Sequence, residues 1–280
     1  MKIISNIKEV QEQVRSWRRE GETVALVPTM GFLHEGHLSL TRIACNSASK
    51  TIVSIFVNPT QFSPDEDYED YPRDFSRDEE LCRRENVDFV FYPPVEEMYP
   101  EDFSTWVEEK DLSGRLCGRS RPHHFSGVTT VVSKLFNICI PDTAVFGQKD
   151  AQQAIIIERM VRDLNFPVNI MLGPIIREED GLALSSRNIY LTEDQRCRAL
   201  SLSRGLNNAA EAFSKGQNDA EKLKGIVLNE LQEAGVSVDY VELVSRENLK
   251  PLNIVNCPAL LAVAAYVGNT RLIDNCFLNE

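Results

Sequence analysis

Short apolar runs bounded by glycine, proline or asparagine alternate with stretches whose apolar residues recur at helical spacing. The runs at 24–27, 51–57, 87–92, 142–146 and 168–171 read as buried strands. Between and before them, 6–20, 38–44, 74–86, 127–140 and 151–164 read as helices with one apolar stripe. Alternation of this kind predicts an α/β fold, a parallel sheet with helices on both faces. After Leu191 the order changes. Two helices near 193–214 and 218–234 precede three strand patterns at 236–243, 259–267 and 270–277, the last two joined at the hairpin-type turn Gly268-Asn269. Helices followed by strands predict a smaller α+β domain. The expected division is 1–176 and 177–280.

A chain of 280 residues has room for two cores. Its net charge of −12 argues against nonspecific nucleic-acid binding as its main role, while a local gathering of Lys and Arg still suits an anionic nucleotide. Seven cysteines without a Cys-x-x-Cys pattern read as reduced thiols of a cytoplasmic protein. The start carries no apolar leader pattern and no apolar run is long enough to span a bilayer, so neither export nor a membrane role is expected.

The chemistry concentrates where strands end. Pro28-Thr29-Met30-Gly31-Phe32-Leu33-His34-Glu35-Gly36-His37 joins the first long run to an amphipathic helix. A strand, a glycine-bearing turn and a helix start point main-chain N–H groups at an anion. His34 and His37 are three apart and fall on one helix face, where imidazoles donate to phosphate oxygens. Metal ligation and plain packing at a helix start remain open for that pair. Asn58 and Gln61 follow the next strand, where α/β folds place ligands, although Asn-Pro also simply starts a turn. Ser63 to Asp74 reads as a solvated acidic loop, with a flexible lid as the alternative. Arg115, Arg119, Arg121, His123 and His124 form a cationic stretch. Gly147-Gln148-Lys149-Asp150 is a second strand–glycine–helix junction, carrying a lysine as a point charge for phosphates, with Gln153 one turn on. Leu184-Ser185-Ser186-Arg187-Asn188 offers hydroxyl and guanidinium donors, with a plain loop or a helix cap as the alternatives.

The His-x-Gly-His pattern after a strand resembles the signature of the nucleotidyltransferase superfamily. Taken in order with Phe-Val-Asn-Pro-x-Gln-Phe at 56–62, Met98-Tyr99-Pro100, Phe-Gly-Gln-Lys-Asp-x-Gln-Gln at 146–153 and Leu-Ser-Ser-Arg-Asn at 184–188, it resembles the pantothenate synthetase (pantoate–β-alanine ligase) family over nearly the whole chain. The resemblance implies a Rossmann-like domain with a smaller lid domain, a homodimer, and Mg2+-ATP activation of pantoate to pantoyl adenylate, which β-alanine then attacks. It assigns ATP to Met30, Gly31, Phe32, Leu33, His34, Glu35, Gly36 and His37, to Gly147, Gln148, Lys149 and Asp150, and to Ile176, Leu184, Ser185, Ser186 and Arg187. His37, His34, Lys149 and Arg187 would be catalytic. Gln61, Gln153, Asn58 and Arg121 would hold pantoate, with Gln61 also near β-alanine. Departures stand at His123 (usually Gly), Leu184 (usually Met) and Gln148 (often Glu); the first puts the backbone around Arg121 in question. A different nucleotidyltransferase and a nucleotide-binding regulator without turnover are the competing expectations.

Overall fold

The computed structural model describes residues 1–64 and 66–279; Asp65, in the acidic loop, and Glu280 lie outside the described residues. The chain forms two compact units. The first holds 1–114, 118–148 and 156–174, and the second holds 115–117, 149–155 and 175–280. Two short stretches early in the sequence therefore pack with the second unit. No helix among the described residues is long and apolar enough to cross a membrane.

The first unit follows the predicted alternation. In chain order it contains β1 (Lys2–Ile4), α1 (Ile7–Arg19), β2 (Val24–Thr29), α2 (Glu35–Ser47), β3 (Lys50–Ile55), α3 (Phe75–Arg84), β4 (Phe89–Phe91) and the short α4 (Val95–Met98). The chain continues through the one-turn α5 (Cys117–Ser120), α6 (His124–Cys139), β5 (Thr143–Gly147), α7 (Ala151–Leu164) and β6 (Asn169–Gly173). Six strands form one sheet in the order β1-β4-β3-β2-β5-β6, and every described pair is parallel. β1 escaped the sequence reading because three residues carry too little periodicity; its partner β4 fixes it at the sheet edge.

The central strands lie between layers and are mostly apolar and buried, as both faces of a parallel sheet must be. Val24 to Val27 are all fully buried. Connections run outward from β2 through β3 to β4 on one side and from β5 to β6 on the other, so the strand order reverses between β2 and β5. At such a reversal the carboxyl ends of neighbouring strands diverge and leave a crevice for a ligand. The first histidine-bearing turn follows β2, and Gly147 closes β5. Helix α2 lies across the ends of β5 and β6: a Cβ on Gly173 would collide with Leu40 Cδ2.

The second unit carries α8 (Glu193–Ser214), α9 (Ala220–Glu233) and three antiparallel strands, β7 (Ser237–Ser245), β8 (Ala259–Val267) and β9 (Thr270–Leu278). Thr192 and Gln195 form a capping box at the start of α8, and Asp219 caps α9. Leu202, Leu206, Leu223, Val227 and Leu231 of the helices share a core with Leu261, Val263 and Leu272 of the sheet. β8 is buried at all but one position, so both sheet faces are covered. The second face of β9 receives the early stretches. Arg271 Nη2 lies 3.5 Å from Cys117 Sγ, and Gln152 accepts from the Cys117 N–H at 2.9 Å while donating to the Arg115 carbonyl at 2.6 Å.

Candidate active site

The turn from β2 into α2 is held in a form few sequences permit. Gly31 has φ +83° and Phe32 φ +49°. A Cβ on Gly31 would lie 2.9 Å from Ile55 Cγ2 and 3.0 Å from Asp78 Oδ2, so glycine is required for both conformation and space. The Asp78 carboxylate, reaching in from α3, accepts from the N–H groups of Phe32 and Leu33, each at 2.7 Å. Burial pushes the Asp78 carboxyl above its usual range, and the two N–H donors pull against that shift.

His34 stands at the N-cap of α2, and its main-chain N–H reaches Nδ1 of His37 at 3.3 Å. The two rings are 4.1 Å apart and tilted by 33°. An acceptor at Nδ1 places the proton of a neutral His37 ring on Nε2, which makes Nε2 a donor. Neighbouring Glu35 forms an ion pair with Arg42, whose hydrogen bond and charge lower its carboxyl despite some opposing desolvation. What Glu35 offers an anion is its place in the first turn, not its side chain.

Gln61 ends a short 3-10 turn, Pro59–Gln61, at the carboxyl end of β3. Its Nε2 meets Met30 Sδ at 3.1 Å, which joins it to the first turn. Asn58 is fully buried and uses both amide donors internally, on Gln61 Oε1 and the Gly127 carbonyl, each at 3.1 Å. Its Oδ1 accepts from Thr60 Oγ1 at 2.9 Å and from Tyr99 OH at 3.0 Å. Asn58 therefore sets the orientation of Gln61. Tyr99, from the Met98-Tyr99-Pro100 motif, completes that support. A Cβ on Gly127 would come within 2.5 Å of the Thr60 carbonyl, so α6 packs directly on this turn.

Arg121 is engaged as fully. Its Nε and Nη2 meet the two carboxylate oxygens of Glu66 at 2.5 and 2.6 Å, and Nη2 also donates to the Gln61 carbonyl at 3.3 Å. His124 Nδ1 lies 2.9 Å from the same carbonyl. Burial pushes the Glu66 carboxyl up, but hydrogen bonding and charge from Arg121 outweigh it and leave the group below its usual range. The acidic loop is not merely solvated: Arg73 donates to the carbonyls of Tyr68, Glu69 and Tyr71. His123 has φ −103°, an ordinary backbone for any residue, so this position needs no glycine. Beside the turn opens a cleft of about 490 Å³, lined by Met30, Phe32, Phe56, Val57 and Tyr92 among others.

In the second unit Lys149 and Asp150 lie in a 3-10 turn, Gln148–Asp150, that leads into α7. Asn275 Nδ2 donates to the Lys149 carbonyl at 3.0 Å. Gln153 is half-buried, next to the buried Gln152. Residues 176–184 form a hairpin: the Leu184 N–H donates to the Ile176 carbonyl at 3.0 Å, Arg177 bridges Ala183, and Gly181 turns at φ +95°. Arg177 holds it by pairing with Asp274 at 2.6 and 3.0 Å. Ser185 caps the 3-10 helix Ser186–Tyr190 by accepting from the Arg187 N–H at 3.3 Å. The helix-cap reading of this motif thus holds.

A sequence profile described as Pantoate-beta-alanine ligase matches residues 2–277. The chain belongs to the pantoate–β-alanine ligase family. The pantothenate synthetase of Thermotoga petrophila is 55% identical over 279 residues, covering 99% of this chain and 100% of that one. The crystal structure of pantothenate synthetase from Thermus thermophilus superposes with a TM-score of 0.94 at 42% identity, over 99% of both chains. A pantoate–β-alanine ligase from Francisella tularensis, complexed with beta-gamma ATP and β-alanine, gives a TM-score of 0.81 at 34% identity, over 99% of this chain and 97% of that one. As a member of the family the chain is a ligase that forms the amide bond between pantoate and β-alanine.

Several supporting groups escaped the sequence reading. Asp78 shares a helical face with Phe75 and the buried Cys82, and an acid on a buried face is the signal that marked it. Asp274 is likewise in phase with Leu272 on an inward-facing side of β9. Glu66 carried no such signal, since its loop reads as a solvated charge run.

Proposed function

We propose that the ligase works through a pantoyl adenylate. A carboxylate oxygen of pantoate attacks the α-phosphorus of Mg2+-ATP, and pyrophosphate leaves on the broken P–O bond. The amine of β-alanine then attacks the acyl carbon; AMP departs as the C–O bond breaks, and the amine gives up a proton. The first step asks for positioning and charge neutralisation rather than a protein nucleophile. The observation that carries this reading is the His34–His37 pair at the N-terminus of α2, with His37 Nε2 as donor, at the carboxyl end of β2 where the strand order reverses.

In this reading the main chain of 30–37 and of 147–148 lies along ATP, with Ile176 and Leu184 as apolar contacts. His34, His37, Lys149, Ser185, Ser186 and Arg187 supply donors and positive charge to the phosphates, and Asp150 belongs to the Lys149 turn. Mg2+ enters with the nucleotide as part of the substrate and would supply positive charge to its phosphates. Gln61 and Gln153 present amides to the hydroxyl groups of pantoate, where a missing partner is costly, and Gln61 also faces β-alanine. Asn58 and Arg121 act one step back, by fixing the side chain and the carbonyl of Gln61. A homodimer rests on the family resemblance and a cytoplasmic location on the seven cysteines without a Cys-x-x-Cys pattern, and light scattering on the purified chain tests the first.

Exchange of labelled pyrophosphate into ATP tests the route. Exchange with pantoate present and β-alanine absent is the expected result. Exchange that appears only once β-alanine is added would reject a free-standing adenylate.

A further inference from the structure

We infer that Asn275 is a positioning residue for Lys149, and that β9 thereby sets the register of the second unit's polar loops. The inference rests on the reading of Lys149 as a phosphate ligand. Asn275 is 4% exposed, deep in the strand, where a polar amide is costly unless it is bonded. It donates from Nδ2 to the Lys149 carbonyl at 3.0 Å, across 126 residues of sequence. Lys149 lies in a three-residue turn without the repeated hydrogen bonds of a longer helix. A fixed carbonyl at that residue limits where its side chain can aim.

Asn275 is itself held. Its N–H meets Asp274 Oδ1 at 2.8 Å, and Asp274, 3% exposed, pairs with both terminal nitrogens of Arg177. Arg177 Nη1 also donates to the Gly181 carbonyl at 3.1 Å, inside the hairpin that leads to Ser185, Ser186 and Arg187. Successive strand residues point to opposite faces. On β9, Asp274 shares its face with Cys276, whose thiol lies against the Leu206 carbonyl of α8, while Asn275 shares the other with Arg271 beside Cys117. One dipeptide thus ties down two separate loops, one from each face of the strand.

The test is a double-mutant cycle read on isolated half-reactions. Lys149→Ala removes the ammonium and keeps the carbonyl, so the Asn275 bond persists in that variant. Asn275→Ala is expected to slow single-turnover formation of pantoyl adenylate about 3- to 10-fold, the range for one lost hydrogen bond. Capture of supplied pantoyl adenylate by β-alanine should stay unchanged, and the loss should vanish in the Lys149→Ala background. Asn275→Leu, which keeps volume without a donor, should repeat the pattern and serves if the alanine variant does not fold. Equal slowing of both half-reactions, or the same loss with and without the Lys149 ammonium, would overturn the inference. A Lys149→Ala variant with unchanged adenylation would instead remove the lysine from the site, and the inference with it; that failure shows in the single variant alone.

Discussion

The Asp78 carboxylate accepts the main-chain N–H of Phe32 at 2.7 Å, although 46 residues separate them in sequence. The same group takes the N–H of Leu33 at 2.7 Å, so one side chain of α3 fixes the turn that delivers His34. Asp78→Ala should leave both N–H groups without that acceptor, at a cost of about 1–3 kcal/mol each where burial keeps water out. Urea unfolding measures that loss. Adenylate formation should fall further than the stability change accounts for, because the first turn of α2 loses its anchor. A variant of native stability and full activity would show that the turn holds itself.

Glu66 and Arg121 give a pH dependence with a definite sign. Burial raises the Glu66 carboxyl, yet Arg121 lowers it more, so its folded value lies below the ordinary one. A depressed carboxylate stabilises the fold above its unfolded pKa of about 4.3 and loses that contribution as pH falls through the folded value. Urea midpoints should therefore decline as pH drops below about 4.3, and more shallowly in Glu66→Gln. Parallel declines in the two proteins would remove the pair from the acid response.

Much of this was legible because the sheet is buried on both faces and its strands read as mostly apolar runs. The junctions after β2 and β5 were legible for a related reason: a glycine between an apolar run and an amphipathic stretch marks where a strand gives way to a helix. What the sequence hides is reach. Asn58 looks like a ligand at a strand end, and only the bonds to Gln61, Gly127, Thr60 and Tyr99 show that its amide is already occupied. Arg121 looks free to meet a carboxylate, and it has one in Glu66. Partners 55 to 126 residues apart leave no periodicity to read.

The proposed function gives His37 two duties that substitutions can separate. Its Nδ1 takes the N–H of His34, and its ring would donate to a phosphate oxygen. His37→Ala removes both and should cost about 10²–10³ in adenylation, by analogy with a lost oxyanion donor. His37→Gln can still reach back to the cap, as a capping-box glutamine does, so its stability should stay close to the parent. Adenylation should remain low all the same. Full recovery of rate in the glutamine variant would show that an amide N–H serves as well as the imidazole.

In the proposed function Lys149 separates the two half-reactions. It follows Gly147 at the end of β5, in a turn where an ammonium can meet a polyphosphate. Charge on the departing pyrophosphate builds only while the adenylate forms, so a contact to that charge lowers this barrier and not the next. By the second step pyrophosphate has left, and an amine attacks the acyl carbon. Lys149→Ala should therefore slow single-turnover adenylate formation by about 10²-fold or more, while supplied pantoyl adenylate reacts with β-alanine at close to the parent rate. Rapid quench with labelled ATP measures the first quantity, and product formation from the synthetic adenylate measures the second. Equal impairment of both in a folded variant would mean that Lys149 shapes the site or touches the adenylate itself. The charge on the leaving group would then have to be met elsewhere, with Arg187 and the Ser185–Ser186 hydroxyls the first to substitute.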